Sequence, residues 1–320
     1  CGTKKAIVLS NGTMALELAL VGLGLQPGDE IVTTPRTFVA TASAFVIHGI
    51  KPVFADVDRD SGNITPESVE KVLTPKTKAI VPVHIGGWPC DMPGFMSLAS
   101  SKGIAVIEDC AQANGAAIGG KSIGSFGQVN AWSFCQDKIV TTGGEGGMVT
   151  TDDEEMWSRM WSYKDHGKDF SAVYERSHPI GFRWVHEHFG TNWRLTEPQS
   201  AMGRIQLRRM AEWQAARTAN AQLLIERFSA CPALRTPVPT GGLVNAWYRL
   251  YTYIRPEALR DGWTRERIME ECAARGLNLM VGSCSEIYLE KAYMDAGLAP
   301  AERLPVAREL GDTSLAFVTH

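Results

Sequence analysis

Short runs of β-branched and apolar residues alternate with helical patterns over the first half of this 320-residue chain. The runs predict strands at 6–10, 30–34, 52–55, 79–83, 104–108, 129–133 and 148–151, and the patterns predict helices at 13–24, 38–48, 66–73, 92–101 and 153–165. Strands separated by helices pair in parallel, because each crossover returns the chain to the same end of the sheet. The alternation therefore predicts an α/β fold with a mostly parallel seven-stranded sheet.

The second half of the chain predicts a smaller domain. Residues 231–242 contain three prolines and a pair of glycines, which is typical of a linker or of tight turns. A strand pattern at 247–254 and a helical pattern at 264–275 follow. We therefore expect a large domain over 1–212 and a small C-terminal α+β domain over 213–320.

Capping residues mark two helix starts. Thr65 precedes Pro66, and proline is tolerated at the first helical position because its missing N–H would be unpaired there anyway. Thr196 with Gln199 forms the capping-box pattern. The second start predicts a long helical stretch that continues through residue 213.

Composition excludes several classes of function. The hydrophobic share of 44% is enough for a substantial core, and the net charge of −3 comes without a basic run. We therefore expect a soluble protein with no nucleic-acid partner and no membrane contact. Seven cysteines, an odd number without metal-type spacing, favour reduced thiols in a cytoplasmic protein that holds no metal.

Lys138 is the first candidate for chemistry. It lies between Ser133 and the stretch Thr-Thr-Gly-Gly-Glu-Gly-Gly at 141–147. A lysine acts as an amine nucleophile at neutral pH only where its surroundings hold it near a carbonyl group and favour the neutral amine. The rest of the sequence therefore decides whether Lys138 is such a lysine, and it indicates pyridoxal phosphate.

Three other segments supply groups that this cofactor requires. Gly12 and Thr13 follow an apolar run and open a helical pattern, where backbone N–H groups and a hydroxyl can receive a phosphate. Asp109 ends a predicted buried strand and can pair with a protonated pyridine nitrogen, while Gln112 can contact the ring hydroxyl. Phe38 offers a flat apolar face for stacking on the ring.

Each of these signals has an ordinary structural explanation when it is taken alone. A turn of small residues between a strand and a helix occurs in any α/β fold. Asp109 alone would cap a helix, Phe38 alone would belong to the core, and Lys138 alone would lie on the surface. Their occurrence together, in this order, favours a cofactor site.

Six blocks of sequence carry a resemblance to a known family. They are Ser-Asn-Gly-Thr-Met-Ala-Leu at 10–16, Pro-Arg-Thr-Phe-Val-Ala-Thr-Ala at 35–42, Ala-Asp-Val-Asp at 55–58, Glu-Asp-Cys-Ala-Gln at 108–112, the Lys138 segment with its Gly-Glu-Gly-Gly, and Gly-Thr-Asn-Trp-Arg-Leu-Thr-Glu at 190–197. In this order the blocks resemble the DegT/DnrJ/EryC1/StrS family of sugar aminotransferases, over nearly the whole chain. The resemblance implies the aspartate-aminotransferase-like fold type I of pyridoxal-phosphate-dependent transferases.

The resemblance also implies roles for the residues around the cofactor ring. Lys138 is expected to form the internal aldimine with pyridoxal 5'-phosphate. Asp109 is expected to bind the pyridine nitrogen, and Gln112 the ring oxygen. Phe38 takes the stacking position.

A second set of residues corresponds to the family's phosphate site. Gly12, Thr13, Met14 through its backbone, and Ser133 lie where the family holds the cofactor phosphate. Asn192 lies where the family reaches the phosphate of the neighbouring subunit. The resemblance therefore implies a homodimer with two shared active sites.

The activity implied is an amino-group transfer in two half-reactions. An amino acid, expected to be L-glutamate, gives its amino group to the cofactor, which passes it to the ketone of a nucleotide-linked keto-sugar. Lys138 moves the proton in both halves. The expected setting is amino-sugar biosynthesis for a surface polysaccharide such as lipopolysaccharide, or for a secondary metabolite.

The chain departs from the family pattern where the sugar is expected to bind. Cys135 stands where the family often has histidine, followed by the less usual Gln136 and Asp137, and residues 281–288 replace a motif that often contains His-Tyr-Pro. Candidates to line or border the groove, each explained equally well as part of a polar loop or as a structural histidine, are His84, His166, Trp184, His186, His188 and Arg194.

Two alternatives stay open. Some relatives use the same cofactor for sugar dehydration, but that branch typically replaces the lysine with histidine, so Lys138 counts against a dehydratase. A non-catalytic relative is disfavoured by the intact Lys138, Asp109 and Gln112. The resemblance also implies further segments before Cys1 and after His320, so both ends are expected to be truncated.

Overall fold

Thirteen strands are found in the computed structural model, which describes residues 1–177, 180, 184–277 and 279–320. In chain order they are β1 (Lys5–Leu9), β2 (Glu30–Thr33), β3 (Lys51–Phe54), β4 (Thr77–Val81), β5 (Ala105–Asp109), β6 (Ala117–Ile118), β7 (Lys121–Ser122), β8 (Val129–Ser133), β9 (Gly147–Thr151), β10 (Leu234–Arg235), β11 (Leu243–Val244), β12 (Leu250–Ile254) and β13 (Ser314–Phe317).

Seven of these strands form the central sheet in the order β1-β9-β8-β5-β4-β2-β3. Strands β8, β5, β4, β2 and β3 pair in parallel, whereas β9 runs antiparallel to both of its neighbours. The predicted mostly parallel seven-stranded sheet is confirmed, and each of its seven predicted strands lies within two residues of its observed bounds.

Helices cover the sheet and extend beyond it. They are α1 (Gly12–Leu23), α2 (Ala40–Val46), α3 (Pro66–Glu70), α4 (Met92–Lys102), α5 (Glu154–Lys164), α6 (Phe170–Tyr174), α7 (Glu197–Arg208), α8 (Met210–Ser229), α9 (Arg265–Ala273), α10 (Lys291–Asp295) and α11 (Pro305–Thr313). Both predicted helix starts are confirmed, since the Thr65 hydroxyl accepts from the Ser68 N–H at 3.2 Å and the Gln199 side chain accepts from the Thr196 N–H at 3.3 Å.

The sheet divides the core into two apolar layers. Side chains alternate along the central strands, so that Ile31 and Ile107 pack on one face while Val32 and Val106 pack on the other. All four side chains are fully buried. Burial of both faces is the physical reason that central strands such as β2, β4 and β5 are rich in apolar residues.

The predicted helical stretch through residue 213 is present as two helices, α7 and α8, which meet at Arg209. Two other predictions in the second half were wrong in detail. The strand predicted from residue 247 begins only at Leu250, because Trp247 has φ of 51° and a strand requires negative φ. The 231–242 linker contains β10, which pairs with β12.

The smaller elements lie beside the main sheet. Strands β10, β12 and β13 form a three-stranded sheet, and β11, β6 and β7 form another. The predicted domain boundary after residue 212 falls inside α8. Within the residues that the structure describes, no helix is long and apolar enough to cross a membrane.

Candidate active site

The carboxyl ends of the parallel strands open into a cavity of about 490 Å³. Ligand sites of α/β sheets usually lie at this edge, because the loops that leave the strands converge there. Seven of the nine predicted site residues line the cavity: Gly12, Thr13, Phe38, Asp109, Gln112, Ser133 and Lys138. Met14 and Asn192 are outside its lining.

One end of the cavity is a close approach between the start of α1 and the end of β8. A Cβ atom on Gly12 would lie 2.7 Å from the Cβ of Ser133, so only glycine fits this position. Asn11 caps the helix, and its side-chain oxygen accepts from the Met14 N–H at 2.9 Å. Backbone N–H groups at such a helix start, together with the hydroxyls of Thr13 and Ser133, are suited to an anion.

Asp109 forms the buried floor of the cavity. Its two carboxylate oxygens accept from the Thr41 hydroxyl at 2.8 Å and from the Ala111 N–H at 3.1 Å. Burial raises the pKa of Asp109, although these two hydrogen bonds and the nearby Lys138 charge partly offset that effect. Among the described residues no cation pairs with it directly, so a cation brought by a ligand would find an unneutralised carboxylate.

Gln112 and Phe38 lie on the walls above Asp109. The Gln112 oxygen accepts from the Gly86 N–H at 2.7 Å, and its amide donates to the Ser283 hydroxyl at 3.4 Å. Phe38 leaves 66% of its surface exposed although it follows a fully buried segment. An exposed aromatic face beside a buried carboxylate matches the shape and charge of a flat, protonated heterocycle.

The amine of Lys138 lies beside the ring of Tyr248, which precedes β12 in the chain. Its Nζ lies 4.9 Å from the centre of the Tyr248 ring, and no ion pair of Lys138 occurs in the described part of the chain. Tyr248 is 6% exposed, and burial, followed by its hydrogen bond to Asp137, raises the pKa of its phenol. The phenol therefore stays protonated, and the lysine amine is held over an apolar surface.

Asp137 links several groups at the cavity mouth. Its carboxylate accepts from the Cys135 thiol at 3.0 Å and from the Tyr248 hydroxyl at 2.5 Å, and it lies 3.9 Å from the Arg249 guanidinium. Burial opposes ionisation, but these hydrogen bonds and the charges of Lys138 and Arg249 lower the pKa of Asp137. Cys135 and Asp137, two of the residues that depart from the family pattern, thus belong to one connected cluster with Tyr248 and Arg249.

A second carboxylate, Glu108, supports the site from behind. It is fully buried and accepts from the N–H groups of Gly124, Phe126 and Gly127 at 2.9, 2.6 and 2.7 Å. It also lies 3.3 Å from Nε2 of His84. Burial opposes ionisation, but the His84 contact and the backbone amides lower the pKa of Glu108.

The remaining candidates for the sugar groove lie elsewhere in this chain. His84 is fully buried, and its Nδ1 accepts from the Cys90 N–H at 3.0 Å, which agrees with the structural explanation. Trp184 is 85% exposed. None of the six predicted groove residues lines the cavity: His84, His166, Trp184, His186, His188 and Arg194.

Sequence reasoning missed several residues that the structure brings to the cavity. Thr41 follows Thr37 by four residues, and this spacing within the 35–42 block is a signal that could have indicated a contact between the two hydroxyls, which lie 2.8 Å apart while the Thr41 hydroxyl donates to Asp109. Tyr248, Arg249 and Ser283 arrive from distant parts of the chain. No local pattern marks those three positions.

The donor set fits pyridoxal phosphate. A glycine-lined helix start with two hydroxyls suits the phosphate, a buried carboxylate without a cationic partner suits the pyridine nitrogen, and Lys138 supplies the amine for the aldehyde. The sequence comparisons agree, since the model of the DegT/DnrJ/EryC1/StrS aminotransferase family matches residues 1–319. The chain belongs to this family.

Individual members of the DegT/DnrJ/EryC1/StrS family show how close the similarity is. The chain is 37% identical over 268 residues to the spore coat polysaccharide biosynthesis protein SpsC of Bacillus subtilis, covering 84% of this chain and 68% of that protein. It is 34% identical over 302 residues to a dTDP-3-amino-3,4,6-trideoxy-alpha-D-glucose transaminase of Streptomyces venezuelae, covering 94% and 74% of the two chains.

A solved structure confirms the fold. The aminotransferase from Psychrobacter cryohalolentis superimposes with a TM-score of 0.97 at 54% identity, covering 99% of this chain and 82% of that one. The predicted family, fold type I, enzyme class and pyridoxal phosphate cofactor are therefore confirmed. The roles of individual site residues stay predictions.

Proposed function

We propose that this DegT/DnrJ/EryC1/StrS enzyme transfers an amino group from L-glutamate to the ketone of a nucleotide-linked keto-sugar. The observation that carries the proposal is the convergence of Lys138, Asp109 and the Gly12–Ser133 approach on one cavity, from three separate segments. The related Streptomyces venezuelae transaminase, whose name specifies a dTDP-linked amino sugar, supports the substrate class.

The cofactor, when bound, supplies an electron-withdrawing ring that stabilises negative charge at the carbon next to the transferred nitrogen. Asp109 holds a proton on the pyridine nitrogen, and its burial strengthens this charge-assisted hydrogen bond. Phe38 covers one ring face. Gln112 orients the ring hydroxyl, while Gly12, Thr13, the Met14 backbone and Ser133 hold the phosphate.

Lys138 is the proposed acid–base group. Its amine takes a proton from the α-carbon of the amino donor and delivers it to C4′ of the cofactor. In the second half-reaction it moves a proton from C4′ to the carbon of the keto-sugar that receives the nitrogen. The same residue serves both half-reactions because both transfer a proton between C4′ and the substrate carbon that bears the nitrogen. The intact lysine also disfavours dehydration, since the dehydratase branch typically has histidine here.

A homodimer forms part of the proposal. Asn192 is exposed and lies outside the cavity of its own chain, as expected of a residue that reaches the phosphate of a partner subunit. Helix α7, which follows Asn192 in the chain, exposes 60% of Ile205 and 49% of Leu207. These apolar side chains support burial against a second copy.

The proposed setting is cytoplasmic amino-sugar biosynthesis. All seven cysteines are free thiols, which suits a reducing compartment. The name of the Bacillus subtilis relative refers to spore coat polysaccharide, which supports a surface polysaccharide as the destination, with lipopolysaccharide as one form and a secondary metabolite as another.

The test follows the cofactor through both half-reactions. The protein is loaded with pyridoxal phosphate, and its absorption is recorded before and after borohydride reduction, which we expect to fix the cofactor on Lys138 in a peptide map. Glutamate should bleach the visible absorption of the lysine-bound form of this cofactor. A panel of nucleotide keto-sugars should then restore it.

The outcomes separate the parts of the proposal. Label on another lysine would refute the site. Bleaching by a different amino acid but not by glutamate would refute the donor. Restoration by a free keto acid alone, with no response to any nucleotide keto-sugar, would refute the acceptor class.

A further inference from the structure

We propose that Arg249 is the receptor for the carboxylate of the amino donor. This inference rests on the proposed function, because it assumes an amino acid as the first substrate. It assigns a binding subsite to a residue that the sequence patterns did not indicate. The argument uses the charges of the cavity, the contacts of Arg249 and its position relative to Lys138.

The described part of the cavity lining contains two cationic side chains, Lys138 and Arg249. Lys138 is assigned to the cofactor aldehyde and to proton transfer, so it cannot also hold a substrate anion. Three carboxylates, those of Asp109, Asp137 and Glu145, line the same cavity. An anionic substrate therefore needs Arg249 to offset the negative field at the point where it binds.

Arg249 is held in place, but not all of its N–H groups are used in hydrogen bonds to described residues. One guanidinium nitrogen donates to the Tyr248 carbonyl at 2.9 Å, and the group stacks on the Tyr248 ring at 4.3 Å. Its side chain is 11% exposed, so solvent screens its charge only weakly. A planar guanidinium with free N–H groups can bind a carboxylate through two parallel hydrogen bonds.

The existing counter-ion of Arg249 can be exchanged. Asp137 lies 3.9 Å from the guanidinium, beyond hydrogen-bond distance, and its side chain is 50% exposed. Asp137 keeps the hydrogen bonds from Cys135 and Tyr248 if Arg249 turns toward a ligand. A donor carboxylate therefore gains a charge-assisted contact without leaving Asp137 unpaired.

The position of Arg249 suits a small amino acid. The Lys138 amine and the Arg249 guanidinium lie 4.9 Å and 4.3 Å from the centre of the same Tyr248 ring, which limits their separation to about 9.2 Å. A single amino-acid donor can therefore place its α-carbon near Lys138 while its own carboxylate binds Arg249. The Tyr248 ring contacts both cations and thereby fixes their positions relative to each other.

The experiment uses the cofactor-loaded enzyme and the first half-reaction alone. Arg249→Met keeps the length of the stem and removes the charge, and Arg249→Lys keeps the charge but loses the planar fork. We expect the apparent Kd for glutamate, from single-turnover bleaching, to rise roughly 10- to 100-fold in the methionine variant and less in the lysine variant. Bleaching by benzylamine, an amine without a carboxylate, should change by less than about 2-fold.

Arg235→Met is the matched control. Arg235 also stacks on a tyrosine, at 4.5 Å from the Tyr253 ring centre, and also pairs with a carboxylate, Asp60, at 2.5 Å. It lies outside the lining of the active cavity. The control should therefore leave the glutamate Kd unchanged while it removes a comparable arginine–tyrosine contact.

Three results would overturn the inference. An unchanged glutamate Kd in Arg249→Met would show that another group binds the carboxylate. An equal loss with glutamate and benzylamine would show that Arg249 is only structural. Weaker binding of a nucleoside diphosphate to Arg249→Met, with glutamate binding intact, would assign Arg249 to the sugar-nucleotide site instead. The wild-type enzyme is measured before any variant is made. If glutamate does not bleach it, the proposed donor is refuted, independently of the role of Arg249.

Discussion

Neutralising the two adjacent carboxylates at the end of β5 should have opposite consequences for this enzyme. Glu108 and Asp109 occupy successive positions of one strand and therefore point to opposite sides of the sheet. Glu108 accepts three hydrogen bonds from backbone N–H groups and lies 3.3 Å from Nε2 of His84, while Asp109 accepts two hydrogen bonds and faces the cavity. The first residue is predicted to stabilise the fold and the second to bind the cofactor.

The cost of Glu108→Gln follows from its donors. One carboxylate oxygen receives the N–H groups of Phe126 and Gly127, and the other receives the N–H of Gly124 and lies near Nε2 of His84. A glutamine amide nitrogen cannot accept, so one orientation leaves the half-buried N–H groups of Phe126 and Gly127 unpaired and the other leaves the buried Gly124 N–H and Nε2 of His84 without an acceptor. At about 1–3 kcal/mol for each, the free energy of unfolding should fall by about 2–6 kcal/mol.

Asp109→Asn should barely change the stability of the cofactor-free protein, because the asparagine oxygen can keep the Ala111 N–H while the Thr41 hydroxyl turns to accept from the amide nitrogen. Burial raises the pKa of Asp109, so the folded state holds its proton more tightly than the unfolded chain does. The ionised form therefore costs stability as pH rises through the two pKa values, and the neutral amide removes that cost. The change should lie within about 1 kcal/mol or be stabilising, whereas cofactor affinity should fall roughly 10- to 100-fold.

The two substitutions are compared by urea unfolding of the cofactor-free proteins and by absorbance titration with pyridoxal phosphate. Because the pKa of Glu108 is lowered in the folded protein, its contribution is present above its unfolded pKa and is lost as pH falls through the folded one. The difference between wild type and Glu108→Gln should therefore shrink in acid. The reasoning is refuted if Asp109→Asn destabilises the fold more than Glu108→Gln does.

Three further substitutions test the cofactor assignments. Lys138→Ala should abolish turnover and borohydride labelling, while equilibrium dialysis still detects bound cofactor. Residual turnover would show that another residue transfers the proton. Gly12→Ala should cost about 1–3 kcal/mol in thermal melts and weaken cofactor binding, because its Cβ would lie 2.7 Å from the Cβ of Ser133; Ser133→Gly in the same chain should restore the melt. Phe38→Ala should leave unfolding within about 0.5 kcal/mol, since the ring is 66% exposed, but raise the cofactor Kd roughly 3- to 10-fold; equal affinities would exclude stacking.

Local patterns were sufficient to predict the main architecture. Val129–Ser133 is buried at every position because both faces of the sheet are covered, and the apolar residues that such burial favours, here Val129, Ala131 and Trp132, are visible in a short window of sequence. The Thr65–Pro66 start was predictable for the same reason, since a cap acts on residues that are neighbours in the chain.

Interactions over long sequence distances were not predictable from local patterns. Trp247 has a positive φ, so β12 begins later than predicted, and the only local signal in its neighbourhood is Asn245, whose side-chain oxygen accepts from the Trp247 N–H at 2.7 Å. The short strands β6, β7 and β11 have two residues each, too few for a periodicity. Their conformations depend on the elements that pack against them.

The sequence by itself determined which chemical groups this aminotransferase possesses: the amine of Lys138, the carboxylate at the end of β5, and glycine and hydroxyl groups at the start of α1. Tertiary structure decided which of them meet. Folding brings Gly12 against Ser133, and Lys138 and Arg249 against one tyrosine ring. Side-chain identity is a property of single positions, whereas charge environment, burial and distance arise only when separate segments pack together.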